Sequence, residues 1–157
     1  SIWAYNLKSQ TLQTLINAEF GLAVKWSPDG TLCLKWTGPL NIIDSKNRVL
    51  SLITLISLPS KCAFREMLAV YCAAPVDQAS IPKGSLPDEY LKKAINFNDD
   101  IYTIPLGPVS NLTQIAPIKI MDAELLGVTI DADRLEINDN RLFFINRYDQ
   151  KLYSLEL

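Results

Sequence analysis

Three cysteines and several paired carboxylates are the residues of this chain whose types and spacing could do chemistry. Cys62 and Cys72 lie in two apolar runs, residues 61–64 and 68–73, on either side of Arg65-Glu66-Met67. If the two runs form one hairpin centred near residue 67, Cys62 and Cys72 face each other directly. That is the short Cα separation a disulfide requires. The spacing is read as a disulfide made in an oxidising compartment, the alternative being two buried thiols in a core. Cys33 is left over and reads as a buried core residue.

No histidine occurs in the 157 residues, so neither a Ser-His-Asp nor a Cys-His site can be assembled from this chain. With no Cys-x-x-Cys spacing either, no metal centre and no cofactor are expected. Asp99-Asp100 falls at the start of an apolar run, where neighbouring strand residues point to opposite faces, so the two carboxylates should not share one proton. Asp131-Ala132-Asp133 offers alternate oxygens to Ca²⁺ but lacks the glycine and distal glutamate of an EF-hand loop; it reads as a solvated turn. Asn111-Leu112-Thr113 matches the glycosylation sequon and reads as a chance match.

The elements that must position these groups read as short strands. Hydrophobic content of 48% with 20% charged residues indicates a globular domain, and 157 residues can bury one core. A net charge of −2 gives no electrostatic case for nucleic acid or an anionic membrane surface. The longest apolar run, residues 49–58, is broken by Ser51, Thr54 and Ser57 and is too short to span a bilayer. Residues 2–7, 40–44, 101–106 and 152–157 are similar short apolar phrases, and each of the first three is followed after a few turn residues by a second strand candidate. Such spacing predicts an array of small β-sheets.

The opening pair, residues 2–7 and 11–16, is followed by residues 23–26, 31–36, 40–44 and 48–56, four antiparallel strands over about 35 residues, the size of one propeller blade. Ser27-Pro28-Asp29-Gly30 turns its first hairpin. The next unit is read as 61–64, 68–73, 100–106 and 112–115, interrupted by an insertion over 74–99. Pro75, Pro82, Gly84 and Pro87 make the first half of that insertion a loop, and residues 87–95 a short helix with acids in its first turn. The last unit is read as 119–121, 126–130, 134–137, 141–146 and 151–157. The fold class is therefore all-β, about three to three and a half four-stranded antiparallel propeller blades in a single partial domain over 1–157, with one short helix in an insertion. A ring of about 4–8 blades is usual, so either this is half of a larger propeller or two copies share one ring as a homodimer. Within one chain, the opening pair could alternatively complete the last blade. A start at Ser1, already inside a strand, is expected of a piece of a longer protein, with any targeting segment outside it.

Trp26-Ser27-Pro28-Asp29-Gly30 followed by a strand resembles the repeat of TolB-like, WD-type bacterial β-propellers, and also that of the propeller of prolyl-oligopeptidase-type peptidases. Phe64-Arg65-Glu66-Met67 keeps the aromatic position without the Pro-Asp-Gly, and Ile137-Asn138-Asp139-Asn140 keeps only a turn. The run from Lys61-Cys62-Ala63-Phe64 through Tyr71-Cys72-Ala73-Ala74-Pro75 and Leu86-Pro87-Asp88-Glu89-Tyr90 to Asp99-Asp100-Ile101-Tyr102 resembles a blade-with-insertion of TolB-like proteins. The resemblance implies that Trp26 wedges between neighbouring blades and transfers no catalytic residue. Most other aromatics, at alternating strand positions, read as inter-blade packing. Within the insertion Tyr90, Leu86, Leu91 and Ile95 fall at near-helical spacing, either covering a blade edge or forming a docking surface. The expected function is a non-catalytic scaffold for protein–protein or cell-envelope interaction, at the bacterial envelope or extracellular face, with a protein partner. The alternative is the propeller portion of a prolyl-oligopeptidase-type serine peptidase whose catalytic domain lies outside this chain.

Overall fold

Four β-sheets follow one another along the chain in the computed structural model, which describes residues 1–66, 68–107 and 114–157. Strands β1 (Ile2–Asn6) and β2 (Thr11–Ile16) form a two-stranded ribbon. In the second sheet β3 (Ala23–Trp26), β4 (Leu32–Trp36), β5 (Leu40–Asp44) and β6 (Val49–Ile53) run as an antiparallel meander. The third begins with β7 (Cys62–Arg65), β8 (Ala69–Pro75) and β9 (Asp99–Pro105). Between β8 and β9 the chain makes one short helix, α1 (Asp88–Leu91). Next comes β10 (Gln114–Ile115), which pairs parallel with β6, and then β11 (Ile118–Met121), which completes the third sheet on β9. A second short helix, α2 (Ala123–Leu126), leads to the fourth sheet of β12 (Ala132–Asn138), β13 (Arg141–Asn146) and β14 (Lys151–Glu156).

The alternation of side chains along each strand explains how the sheets stack. On β4, Leu32, Leu34 and Trp36 point one way, into a cluster with Cys62, Phe64, Val70, Cys72 and Ile104 of the third sheet. Cys33, between them, points the other way and joins Ile43 and Ile16, the ribbon's contribution. The pattern recurs on β8: Val70, Cys72 and Ala74 face the second sheet, whereas Ala69, Tyr71 and Ala73 meet Leu135, Leu142 and Phe144 of the fourth. Each apolar cluster thus fills the gap between one sheet and the next. That is why β8 reads as a continuous apolar run: a strand covered on both faces has no solvent side to alternate with.

Turn chemistry sets the first hairpin. Ser27 Oγ donates to Asp29 Oδ1 at 2.7 Å and accepts from the Leu32 N–H at 2.9 Å, while Asp29 Oδ1 also accepts from the Thr31 N–H at 3.1 Å. These hydrogen bonds hold the Asp29 carboxyl below its ordinary pKa, that from Ser27 contributing most. Gly30 takes a positive φ of 72°, a conformation that favours glycine. The expected Cys62–Cys72 register is present: the two residues are direct partners across β7 and β8, with Cα atoms 4.1 Å apart and the sulfurs bonded. Cys33 is fully buried, and burial pushes its thiol up to about 11.

Several expectations are corrected. The outer strand of the third sheet is β11, not residues 112–115; of these, 112 and 113 lie outside the described residues, as does the Asn111 sequon, and Gln114–Ile115 pairs with β6 instead. Lys119 fixes β11 where it is, with Nζ 2.6 Å from Asp100 Oδ2 and 2.9 Å from Asp122 Oδ2. Residues 126–130 are not a strand, because Asp122 caps α2 through the Leu125 N–H at 2.9 Å and Gly127 (φ 65°) ends it. The helix read over 87–95 is only one turn, α1. The ribbon does not complete the fourth sheet, since β1 pairs only with β2 and β14 only with β13. Trp26 is half-buried and packs on the Cys33 cluster between the ribbon and the second sheet, whereas Trp3 and Tyr5 are both 56% exposed and are not inter-sheet wedges.

Leu34, with no exposed surface, sits at the centre of the gap between the second and third sheets. Leu34→Ala should destabilise the protein by about 2–5 kcal/mol in chemical denaturation. A loss below about 1 kcal/mol would remove that gap from the core.

Candidate functional site

The residues with the strongest chemical potential meet under the insertion, at one end of the third and fourth sheets. Pro59–Lys61 makes a 3₁₀ turn just before β7, and the turn carries Lys61 inward, leaving it 1% exposed. Asp99 opens β9, Asp131 immediately precedes β12 and Arg147 immediately follows β13. Because these strands are antiparallel, the starts of β7, β9 and β12 and the end of β13 lie at the same end of their sheets. The insertion folds over that end and contributes Tyr90 from α1 and Phe97.

The geometry is that of a closed network. Lys61 Nζ lies 2.6 Å from Asp99 Oδ2 and 2.8 Å from Asp131 Oδ1, and donates to Tyr90 Oη at 3.3 Å. Arg147 Nη1 is 3.1 Å from Asp131 Oδ2, which also accepts from the Phe97 N–H at 3.2 Å. The Tyr90 hydroxyl donates to Asp131 Oδ1 at 3.2 Å. The Arg147 guanidinium lies over the Tyr90 ring, 3.8 Å from its centroid, and donates to the Tyr90 carbonyl at 3.1 Å. Tyr90 in turn stacks on Phe97 with centroids 5.5 Å apart. Two cations balance two carboxylates, the condition on which charges persist in a dry interior.

Two shifts within this network are both upward, which favours the charged lysine and disfavours the charged carboxylate. Burial disfavours the Lys61 ammonium, but the carboxylates of Asp99 and Asp131 outweigh it, so the lysine is held above its ordinary pKa and stays charged. Burial lifts Asp99 to about 6, despite the pull of Lys61. Asp131 adds like-charge repulsion to that rise. The structural reason is visible in its oxygens: Oδ2 accepts from Lys61 and from the Ala132 N–H at 2.8 Å, while Oδ1 is buried with no partner among the described residues. Burial also raises the Tyr90 phenol. A lysine, a tyrosine and two carboxylates could in principle exchange protons with a substrate, but Lys61, Asp99 and Asp131 are shut off from solvent and paired with one another. The cluster is a tie between elements.

Asp131, read as part of a solvated turn, is buried in this cluster, with Asn146 Oδ1 accepting its N–H at 3.0 Å. Asp99 and Asp100 do diverge: Asp100 turns away to accept from the Ala123 N–H at 2.9 Å. Of the four insertion residues singled out for docking, Tyr90 is buried, and Leu86 and Ile95 are half-buried against the core. Leu91 alone is open, 63% exposed. The inner face of α1 therefore covers sheet ends. Lys61 and Arg147 were not among the candidates, because an isolated lysine before a strand and an arginine in a turn ordinarily read as solvated. Among the described residues no group of three or more acidic, cysteine or histidine side chains could hold a metal ion, and no helix is long and apolar enough to cross a membrane.

Lys61→Met would leave two buried carboxylates facing Arg147 alone and should cost about 3–5 kcal/mol. Pairing it with Asp99→Leu should recover part of that loss; equal losses for the single and double variants would show that charge balance is not the issue. The pH dependence has a definite sign. An aspartate of ordinary pKa near 3.8 in the unfolded chain and about 6 in the folded one binds its proton more firmly when folded. Its ionised form therefore costs stability above pH 6, and that cost is relieved as pH falls from about 6 to about 4. The gap in stability between wild type and Asp99→Asn, measured by denaturation across that window, should change with pH there and be level above it. No protein-family model matches this chain, and comparisons with curated proteins and with solved structures found no match.

Proposed function

We propose that the chain is a run of β-propeller blades acting as a non-catalytic scaffold for protein–protein or cell-envelope interaction, completed by a second copy of itself. The observation that carries this reading is the gathering of the first strands of three successive sheets. β12 packs on β7, and β3 packs on the turn leading into β7. Lys25 of β3 reaches β12, with Nζ 2.6 Å from the Leu135 carbonyl and 2.8 Å from Glu136 Oε1. An inner line of first strands, with apolar clusters between successive sheets, supports reading the sheets as blades about an axis.

The two ends of the run support the choice of partner. β1 and β14 each have one unpaired hydrogen-bonding edge, a template for strand addition. A two-stranded ribbon is marginal alone in water. Exposed apolar side chains crowd both ends: Trp3, Tyr5, Leu7 and Leu12 on the ribbon, Leu152 and Tyr153 on β14. Beside β14 runs an open, mainly apolar hollow of about 430 Å³ that includes Met121, Phe144, Tyr148 and Tyr153. Joining β1 of one copy to β14 of the other gives a five-stranded sheet, as many strands as the second sheet already has. The disulfide fits an oxidising, extracytoplasmic setting for such a scaffold.

Light scattering coupled to size exclusion, without reductant, should return twice the mass of one chain. Trp3→Glu or Leu152→Lys should return the mass of one. A wild-type monomer would rule out the second copy as the closing partner.

A further inference from the structure

On the outer side of the insertion lies a cavity that the charge cluster and the β14 hollow do not touch. It is an open hollow of about 380 Å³ between the β4–β5 turn, the loop before β3 and residues 81–86 of the insertion. Phe20, Trp36, Ile56, Ile81 and Leu86 make it mainly apolar, and Lys83 is the one ionisable residue among those lining it. Phe20 stands at this site 83% exposed. Its position is fixed by Gly21, which has a φ of 65° and is so close to the insertion that a Cβ there would meet Pro87 Cδ at 3.0 Å. A side chain there would crowd Pro87 and strain the backbone, so glycine suits the close approach of the two loops.

Trp36, 5% exposed, offers the hollow an apolar wall. Lys83 has no ion-pair partner among the described residues, and no acidic side chain lines the cavity. An apolar hollow of a few hundred Å³ with a small number of convergent polar groups is the usual form of a small-molecule site. Here the one charged group on the lining is the Lys83 ammonium, so the matching ligand carries an anionic acceptor on an apolar body.

We infer that this cavity binds a small organic carboxylate with an aromatic or branched apolar body, its carboxylate paired with Lys83 and its body against Trp36 and Phe20. The site is formed within one chain and does not depend on the ring being closed. 3-Phenylpropionate and its uncharged amide, titrated by calorimetry into the full chain at neutral pH, are the probes. The acid should bind about tenfold more tightly than the amide, the scale of one charge-assisted hydrogen bond. Lys83→Gln, a surface change that leaves the core untouched, should erase the preference, and Lys83→Arg should keep it. Trp36→Phe, checked for an unaltered melting transition, should weaken both probes. No binding at millimolar probe, equal affinity for acid and amide, or an unchanged preference in Lys83→Gln would each overturn the assignment.

Discussion

The buried Lys61 ammonium is the interaction on which the rest of this structure depends. A charge with 1% exposure is tolerable only if every donor is met, and meeting them draws in β9, the turn before β12 and the insertion at once. Neither the third nor the fourth sheet contains a complete partner set for it. Asp99 belongs to one and Asp131 to the lead-in of the other, so satisfying the lysine requires the two sheets to dock at one relative position. Apolar packing between sheets is tolerant of small slides, because many arrangements bury similar area. Ionic hydrogen bonds of 2.6–2.8 Å are not. The cluster therefore contributes registration between sheets more than net stability.

Its cost is visible in Asp99, whose second oxygen has no partner among the described residues. The two-plus-two charge balance makes the cluster neutral as a unit, but the hydrogen bonds are unevenly shared: Asp131 receives Lys61, Arg147, Tyr90 and the Phe97 N–H, and Asp99 receives two donors on one oxygen. Burial is the main origin of the weakened acidity of Asp99, and the nearby Asp131 carboxylate adds like-charge repulsion to it.

What the sequence made legible follows from how local each signal was. The Ser27-Pro28-Asp29-Gly30 hairpin rests on contacts within six residues, and the Cys62–Cys72 pairing on a symmetric register about one turn, so both could be read from spacing alone. The two meanders were legible because turn residues punctuate apolar runs of strand length. Residues 126–130 misread as a strand because apolar content outweighs a cap and a glycine that become decisive only in three dimensions, where Ala123 also donates to Asp100 across the sheet. The order of β10 and β11 was hidden for a similar reason: a two-residue strand carries almost no periodicity, and its partner, β6, is more than fifty residues earlier. Lys61 was the least legible of all. Sequence marks a buried charge only through its partners, and these lie 38 and 70 residues away.

The insertion joins the two halves of this reading. Its inner side is held by Tyr90, Phe97 and the main chain at Ile95, all bonded or stacked within the charge cluster. Its outer side, a few residues earlier, supplies Ile81, Lys83 and Leu86 to the cavity. A loop of this length would ordinarily lose much conformational freedom on closing over a ligand, and that loss would oppose binding. Here the ordering is already accomplished by ionic contacts on the far face, and Gly21 presses against Pro87 from the side. The buried charges thus act on the cavity without touching it: they fix the wall against which Trp36 and Phe20 face, and they do so from a site no ligand reaches. Such an arrangement separates the residues that hold the insertion from those that would recognise something, which leaves the latter free to vary in chemistry while the sheets beneath keep one register.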